Sequence, residues 1–155
     1  MISPELLRRY PFFNFCADAQ LKAIAMLADE VEVDQGSSVF ETEQSADEVY
    51  VLIEGSIDLY FKVVDRDDPA LVKEFFLSEF NPGDIFGLSA LFAPFRRSMT
   101  ARVLGPSKLI KIDAAGVRAL IEADVAFAAG LFRATAQTFM ERLHETRAQL
   151  AAARA

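Results

Sequence analysis

Between Val31 and Ile112 the apolar residues come in short runs, mostly at every second position, and glycine or proline turns separate each run from the next. Val31 and Val33 alternate with Glu32 and Asp34 before Gly36, and Val39 with Phe40 resumes the extended pattern. Val49, Val51 and Ile53 lead to Gly55, and Ile57, Leu59 and Phe61 follow it. A period of two sends alternate side chains to opposite faces of a strand, so Gly55 reads as a hairpin turn. The polar tip Arg66-Asp67-Asp68-Pro69 reads as a solvated hairpin end, with Leu71 to Phe80 returning as a strand. Thr100 to Leu104 and Leu109 to Ile112, divided by Gly105-Pro106, close the series. Many short strands divided in this way predict an antiparallel sandwich or barrel.

Helical patterns flank this region. Pro4 to Tyr10 forms a short helix that Pro11 interrupts, and Asp18 is expected to cap a second, with Leu21, Ile24, Ala25 and Leu27 on one face. Asp113 is placed to cap Ala114 to Ala123, and Asp124 a long helix running to about Ala152. In that helix Val125, Ala129, Phe132, Ala136, Phe139, Leu143, Thr146 and Leu150 follow alternating steps of four and three. This is the spacing of a coiled-coil seam, and Gln137, Glu141, Arg142, Glu145 and Gln149 stay polar beside it. A homodimer paired along this helix is favoured over packing of the same stripe on its own chain. Gly130 weakens the helix by about 1 kcal/mol and suits a close crossing or a kink. No linker or internal repeat divides the chain, so residues 1–155 are expected to be one domain, with 28–112 the sheet region and 113–152 the terminal helices.

Charge and composition narrow the function. At 155 residues and 52% hydrophobic the chain can bury a sizeable core. A net charge of −7 argues against a nucleic-acid surface, which is built from accumulated Lys and Arg. The single Cys16 allows no intrachain disulfide, and the amino terminus lacks the basic start and apolar run of a signal peptide. No apolar run is long enough to span a bilayer, so a cytoplasmic protein without membrane contact is expected. His144 is the sole histidine, which disfavours the multi-histidine metal sites of many β-barrel enzymes. No nucleophile, base and orienting group stand out together, so neither an enzyme nor a resident cofactor is expected.

The chemistry concentrates between Asn81 and Val103. Pro82-Gly83-Asp84-Ile85-Phe86-Gly87-Leu88-Ser89-Ala90-Leu91 is followed by Arg96-Arg97-Ser98-Met99-Thr100-Ala101. Gly87 can take backbone angles closed to other residues and expose the amides that follow, and Leu88 to Phe92 can form a short helix whose first N–H groups attract an anion. Ser89 and Ala90 are small enough to let a ligand approach the backbone. Arg97 adds a planar fork of donors suited to phosphate oxygens, and Ser98 and Thr100 add hydroxyls.

These residues and their spacing resemble the phosphate-binding cassette of the cyclic nucleotide-binding domain family, which reads roughly Phe-Gly-Glu-x-Ser/Ala-Leu and then Pro-Arg-x-Ala-Thr. Phe86, Gly87, Leu91, Arg97, Ser98 and Thr100 match it without a gap, and Gly36, Phe40, Tyr50, Glu54-Gly55 and Pro82-Gly83-Asp84 extend the match from about Leu6 to Leu150. The resemblance implies a mainly β fold with flanking helices: a double-stranded β-helix jelly roll with N-terminal helices and a long C-terminal helix. It implies a regulatory sensor whose candidate ligand is a cyclic nucleotide, with a site at Phe86, Gly87, Leu88, Ser89, Ala90, Arg97, Ser98, Met99 and Thr100. Family members often pair through the same helix, which here offers Phe132, Ala136, Phe139, Leu143, Thr146 and Leu150. Transcription regulators of the family carry a helix-turn-helix domain after the sensor, whereas this chain stops at Ala155, so its output is expected to pass through an effector protein.

The sequence departs from the cassette where the family's ribose-binding glutamate becomes Leu88, its small alanine becomes Met99 and its proline becomes Arg96. Losing a hydrogen bond between ribose and a charged group is expected to weaken cyclic nucleotide binding roughly ten- to a hundredfold. The alternative is a ligand-free interaction module in which Leu88 and Met99 fill the pocket.

Overall fold

A computed structural model describes residues 1–155. Helices α1 (Pro4–Arg8) and α2 (Asp18–Met26) come first, joined through a 3-10 helix at Pro11–Phe15. Eight strands follow: β1 (Ala28–Val33), β2 (Ser38–Phe40), β3 (Glu48–Glu54), β4 (Ile57–Val64), β5 (Val72–Phe80), β6 (Ile85–Phe86), β7 (Thr100–Val103) and β8 (Ser107–Asp113). Helices α3 (Ala114–Ala123) and α4 (Val125–Arg154) close the chain. The strands form two four-stranded sheets, β1-β8-β3-β6 and β2-β7-β4-β5, with every pairing antiparallel. This is the expected jelly roll with helices at its flanks.

The first sheet is buried on both faces, one inside the roll and the other against the helices. Phe40, Tyr50, Leu52, Ile57, Leu59, Phe80, Phe86, Val103 and Leu109 fill the interior of the roll. The other side of the first sheet, through Val49, Val51, Ile110 and Ile112, packs on Leu21, Ile24, Val117, Phe127 and Leu131 of the helices. Tyr50 and Leu52 thus point into the roll while Val49 and Val51 point to the helices, as a period of two requires.

Asp113 and Asp124 cap their helices as anticipated, accepting from Gly116 N at 2.9 Å and Phe127 N at 3.0 Å. Helix α2 corrects the sequence reading. Its N-cap is Ala17, whose backbone N–H is taken by Gln20 Oε1 at 2.9 Å, while the Asp18 carboxylate is drawn to Arg8 at 3.0 Å. Gly130 lies where α4 crosses the first 3-10 helix, and a Cβ there would stand 2.4 Å from the Phe15 ring. The close crossing is therefore the reason for that glycine.

Helix α4 has two faces. Phe127, Leu131 and Thr135 are buried, with Thr138 and Arg142 half-buried on the same side. The stripe from Val125 to Leu150 lies mostly one position along from the buried residues, roughly 100° around the helix, and all eight of its residues are exposed. Its own chain leaves it open except at Phe92, which reaches Phe132 and Phe139.

Candidate ligand-binding site

Strand β6 is the outer strand of its sheet, paired to β3 through Tyr50–Phe86 and Val51–Ile85. Leu52 fixes its entry, donating to the Asp84 carbonyl at 3.0 Å and accepting from Gly83 N at 2.8 Å. After Phe86 the chain turns at Gly87, with φ +76° and ψ 24°, into a single 3-10 turn at Leu88–Leu91. Only glycine adopts that left-handed conformation freely, and a Cβ there would come within 3.0 Å of Arg97 Nη1. One turn is shorter than the helix expected over Leu88 to Phe92.

The returning segment is held by the loop before β3. Ala46 N donates to the Phe95 carbonyl at 2.7 Å, Arg97 N to Gln44 at 2.9 Å, and Glu43 N to Arg97 at 2.8 Å. Arg97 sends its side chain inward and is only 2% exposed. Its Nη1 donates to the Gly87 carbonyl at 2.8 Å and Ser89 Oγ at 3.3 Å, and its Nη2 to the Glu48 carbonyl at 2.6 Å. The guanidinium carbon stands 4.1 Å from the Phe40 ring centre and 6.0 Å from that of Tyr50. No ion pair includes Arg97, and its Nε is buried without a hydrogen-bond partner. Burial presses its pKa down against the more distant pull of Tyr50, Glu48 and Asp47. A cation withdrawn from water without a counter-ion costs several kcal/mol. Carbonyl dipoles and aromatic faces offset some of that cost, and an anion would offset more.

The nine residues expected to line a ligand divide. Gly87, Ser89 and Arg97 share hydrogen bonds, and Phe86 lies inside the roll, stacked 5.4 Å from Tyr50. Leu88 turns the opposite way, into the apolar cluster against the helices, where it borders a cavity of about 20 Å³ with Leu91, Val117, Phe127 and Leu131. The buried Ala90 joins the same cluster. Met99 packs against the roll interior, Ser98 is exposed, and the buried Thr100 hydroxyl is engaged by Thr42, accepting from its N–H at 3.1 Å and lying 2.9 Å from its Oγ1. Of the two residues suspected of filling the pocket, only Met99 reaches the roll.

Two further arginines act on this segment and were not singled out from the sequence. Arg118 of α3 donates to the Ala90 carbonyl at 2.6 Å and lies 4.4 Å from the Phe95 ring centre, joining both limbs of the loop. Arg142 of α4 donates to the Ile85 carbonyl and lies 5.1 Å from the Phe80 ring centre. An arginine four residues after Thr138, on the stripe begun by Phe127 and Leu131, was the available signal for Arg142. Phe92, which ends the 3-10 turn, sits 6.0 Å from Phe132 and 6.4 Å from Phe139, centre to centre. The segment around Gly87 therefore touches the exposed stripe of α4 directly.

The sequence profile of the cyclic nucleotide-binding domain matches residues 30–124, which includes both sheets almost entirely and the whole Arg97 segment. The chain belongs to the cyclic nucleotide-binding domain family. A solved structure of a candidate cyclic nucleotide-binding protein from Geobacter metallireducens is similar to this cyclic nucleotide-binding domain at 33% identity and a TM-score of 0.80, covering 93% of this chain and 100% of that one. The N-terminal domain of a transcriptional regulator from Streptomyces coelicolor is 26% identical with a TM-score of 0.66, covering 88% and 94%. Among curated relatives, the CRP-like cAMP-activated global transcriptional regulator of Mycobacterium tuberculosis is 24% identical over 76% of this chain and 50% of its own length. This domain spans half or less of the curated relatives it matches. No helix is long and apolar enough to cross a membrane, and no group of three or more His, Cys, Asp or Glu is placed to hold a metal ion.

Proposed function

We propose that this domain is a regulatory sensor that admits a phosphate-bearing small molecule at Arg97 and signals through α4 as a homodimer. One observation carries the reading: Arg97 is 2% exposed, has no counter-ion and keeps an unpartnered Nε. An anion brought to that guanidinium replaces carbonyl dipoles with a full opposite charge, and charge-assisted bonds in a dry site are strong. Gly87, Ser89, Arg97 and the carbonyl of Glu48 share one set of hydrogen bonds, so a ligand that engages Arg97 would disturb them together. Their displacement shifts Phe92 against Phe132 and Phe139, so ligand occupancy biases the geometry of the α4 stripe. The partner of that stripe is a second copy of the chain, and an effector protein reads the altered dimer. The role is binding rather than catalysis, in a reducing, cytoplasmic setting suited to the half-buried thiol of Cys16, which burial raises to about 11.

Because the Mycobacterium tuberculosis relative is described as cAMP-activated, cyclic AMP and cyclic GMP are the first ligands to titrate. Calorimetry is expected to give micromolar binding to the wild type and none to Arg97→Gln. Equal affinity in both proteins overturns the reading.

A ligand-free interaction module is the second reading. It is favoured by the aromatic rings already packed inside the roll, Phe86 lying 4.8 Å from Phe80, 5.4 Å from Tyr50 and 6.3 Å from Phe40. Under that reading no nucleotide raises the melting temperature or slows amide exchange between Gly87 and Thr100.

A further inference from the structure

Two residues other than glycine take the left-handed backbone conformation, and both belong to the segments that hold Arg97: Glu43 with φ +72° and Phe95 with φ +58°. For a bulky side chain such as that of Phe95 the conformation is strained, and it persists only where the surroundings hold it. The two segments are laced together. Ser45 and Arg96 pair as a single antiparallel bridge, Ala46 N donates to the Phe95 carbonyl, and Glu43 N donates to the Arg97 carbonyl. Each strained residue is also met by an arginine. Arg96 Nη1 donates to the Glu43 carbonyl at 2.9 Å, and the Arg118 guanidinium carbon lies 4.4 Å from the centre of the Phe95 ring.

Of these two arginines, only Arg118 comes from outside the loop. It is half-buried on α3, donates to the Ala90 carbonyl at 2.6 Å and forms no ion pair. Its charge is therefore directed at one carbonyl and one ring, and both contacts are attractive for a cation. The carbonyl belongs to the limb that leaves Gly87, and the ring to the limb that leads into Arg97. Arg97 joins the same two limbs nearer the ends of the loop, through the Gly87 carbonyl and Ser89 Oγ. One loop is thus cross-braced twice, by the arginine of the anion site and by an arginine of α3.

We infer that Arg118 is a positioning residue for the anion site: by holding the strained Phe95 beside the Ala90 limb, it fixes where Arg97 enters the roll. This rests on the sensor reading for what Arg97 binds and deepens it by naming what places Arg97. The brace itself has a readout that needs no ligand. Arg118 acts through Phe95, so its removal matters only while position 95 is strained, and that condition separates positioning from plain packing of α3.

The test measures amide exchange by NMR and cyclic AMP binding by calorimetry on the full chain. It uses wild type, Arg118→Gln, Arg118→Lys, Phe95→Gly and the double variant Arg118→Gln, Phe95→Gly, each checked for a cooperative melt. Arg118→Gln is expected to speed exchange at the Glu43, Ala46 and Arg97 amides about tenfold and to weaken cyclic AMP binding about tenfold, the scale of one lost charge-assisted bond. Arg118→Lys keeps a charged donor and is expected to lose less. On top of Phe95→Gly, the Arg118→Gln change is expected to cost no more than about threefold, because glycine takes the left-handed conformation unaided. Unchanged exchange at all three amides in Arg118→Gln, or an equal loss with and without Phe95→Gly, overturns the inference and leaves the Arg97 reading standing. Failure of cyclic AMP to bind the wild type counts against the sensor reading instead, and the exchange rates then decide the role of Arg118 by themselves.

Discussion

A buried arginine held by carbonyls is replaceable only by a group of the same shape. Lysine keeps the charge of Arg97 but cannot span the Gly87 and Glu48 carbonyls and Ser89 Oγ together. Arg97→Lys is expected to lower stability by about 1–3 kcal/mol through the acceptors it strands, measured as a reduced urea midpoint. Leu88 tests the other side of the same segment. Its neighbours are apolar and the adjoining cavity of about 20 Å³ has no polar lining, so a carboxylate there cannot be solvated. Leu88→Glu is expected to cost roughly 3 kcal/mol or more at pH 7 and to restore no ribose contact. Burial would raise that carboxyl's pKa, so the ionisation penalty is complete above its folded pKa, shrinks as pH falls from there, and is gone below the ordinary glutamate value. Urea unfolding at pH 7 and pH 4 checks the sign. Composition and motif reveal Arg97, but not the direction of Leu88, because a one-turn 3-10 segment has no long periodicity from which to read a face.

At the scale of elements, Gly130 and Asp58 separate local preference from tertiary demand. Alanine is the better helix former by about 1 kcal/mol, yet a Cβ at position 130 would stand 2.4 Å from the Phe15 ring. Gly130→Ala is expected to lower stability by roughly 1–3 kcal/mol, with a lower melting temperature as the readout. Asp58 is 8% exposed on β4, opposite Glu79 on one side and Arg102 on the other. Arg102 is committed to Glu74 through bonds of 2.7 and 3.0 Å, so Asp58 gains no partner from it. Burial first, and Glu79 second, raise the Asp58 pKa, against a hydrogen bond from Tyr60. The folded state therefore binds the proton more tightly than the unfolded one, and stability falls as pH rises from the ordinary aspartate value through the raised one. Asp58→Asn is expected to gain about 0.2–1 kcal/mol at neutral pH and nothing below the ordinary aspartate pKa. Thermal melts across pH 3–7 would show whether the gain has that profile. The alternating strands and the Asp113 and Asp124 caps were legible because each rests on spacing or a cap residue within a few positions. The Ala17 cap was not, since it rests on a backbone N–H taken by Gln20 while Asp18 turns to Arg8, ten residues earlier on another helix.

The whole molecule leaves an apolar stripe of α4 uncovered. Phe132 is 43% exposed, Phe139 44%, Leu143 48% and Leu150 51%, all on one face with the inner face of α4 already buried. The proposed second copy, meeting that stripe in register, would account for its spacing. The double variant Phe139→Glu, Leu143→Glu is expected to sediment as a monomer at micromolar concentration while the wild type sediments as a dimer. An unchanged sedimentation coefficient would remove the stripe from the interface. Phe92 touches that stripe at the end of the Gly87 turn, so under the sensor reading the monomeric variant should also bind cyclic nucleotide with altered affinity, measurable in the same titration.

The sequence by itself determined an antiparallel sandwich or barrel, which the family resemblance narrowed to a jelly roll, the capped terminal helices, the glycine-to-arginine segment at Gly87 to Arg97 and the apolar stripe on the last helix. All of these follow from periodicity, turn residues or motifs within short stretches of chain. Only the tertiary structure decided that Arg97 is sealed in without a counter-ion, that Leu88 faces the helices rather than the roll, and that Arg142 meets the Ile85 carbonyl of β6. Those outcomes depend on which distant surfaces close over a side chain. Burial, unlike periodicity, is a property of everything that packs around a residue.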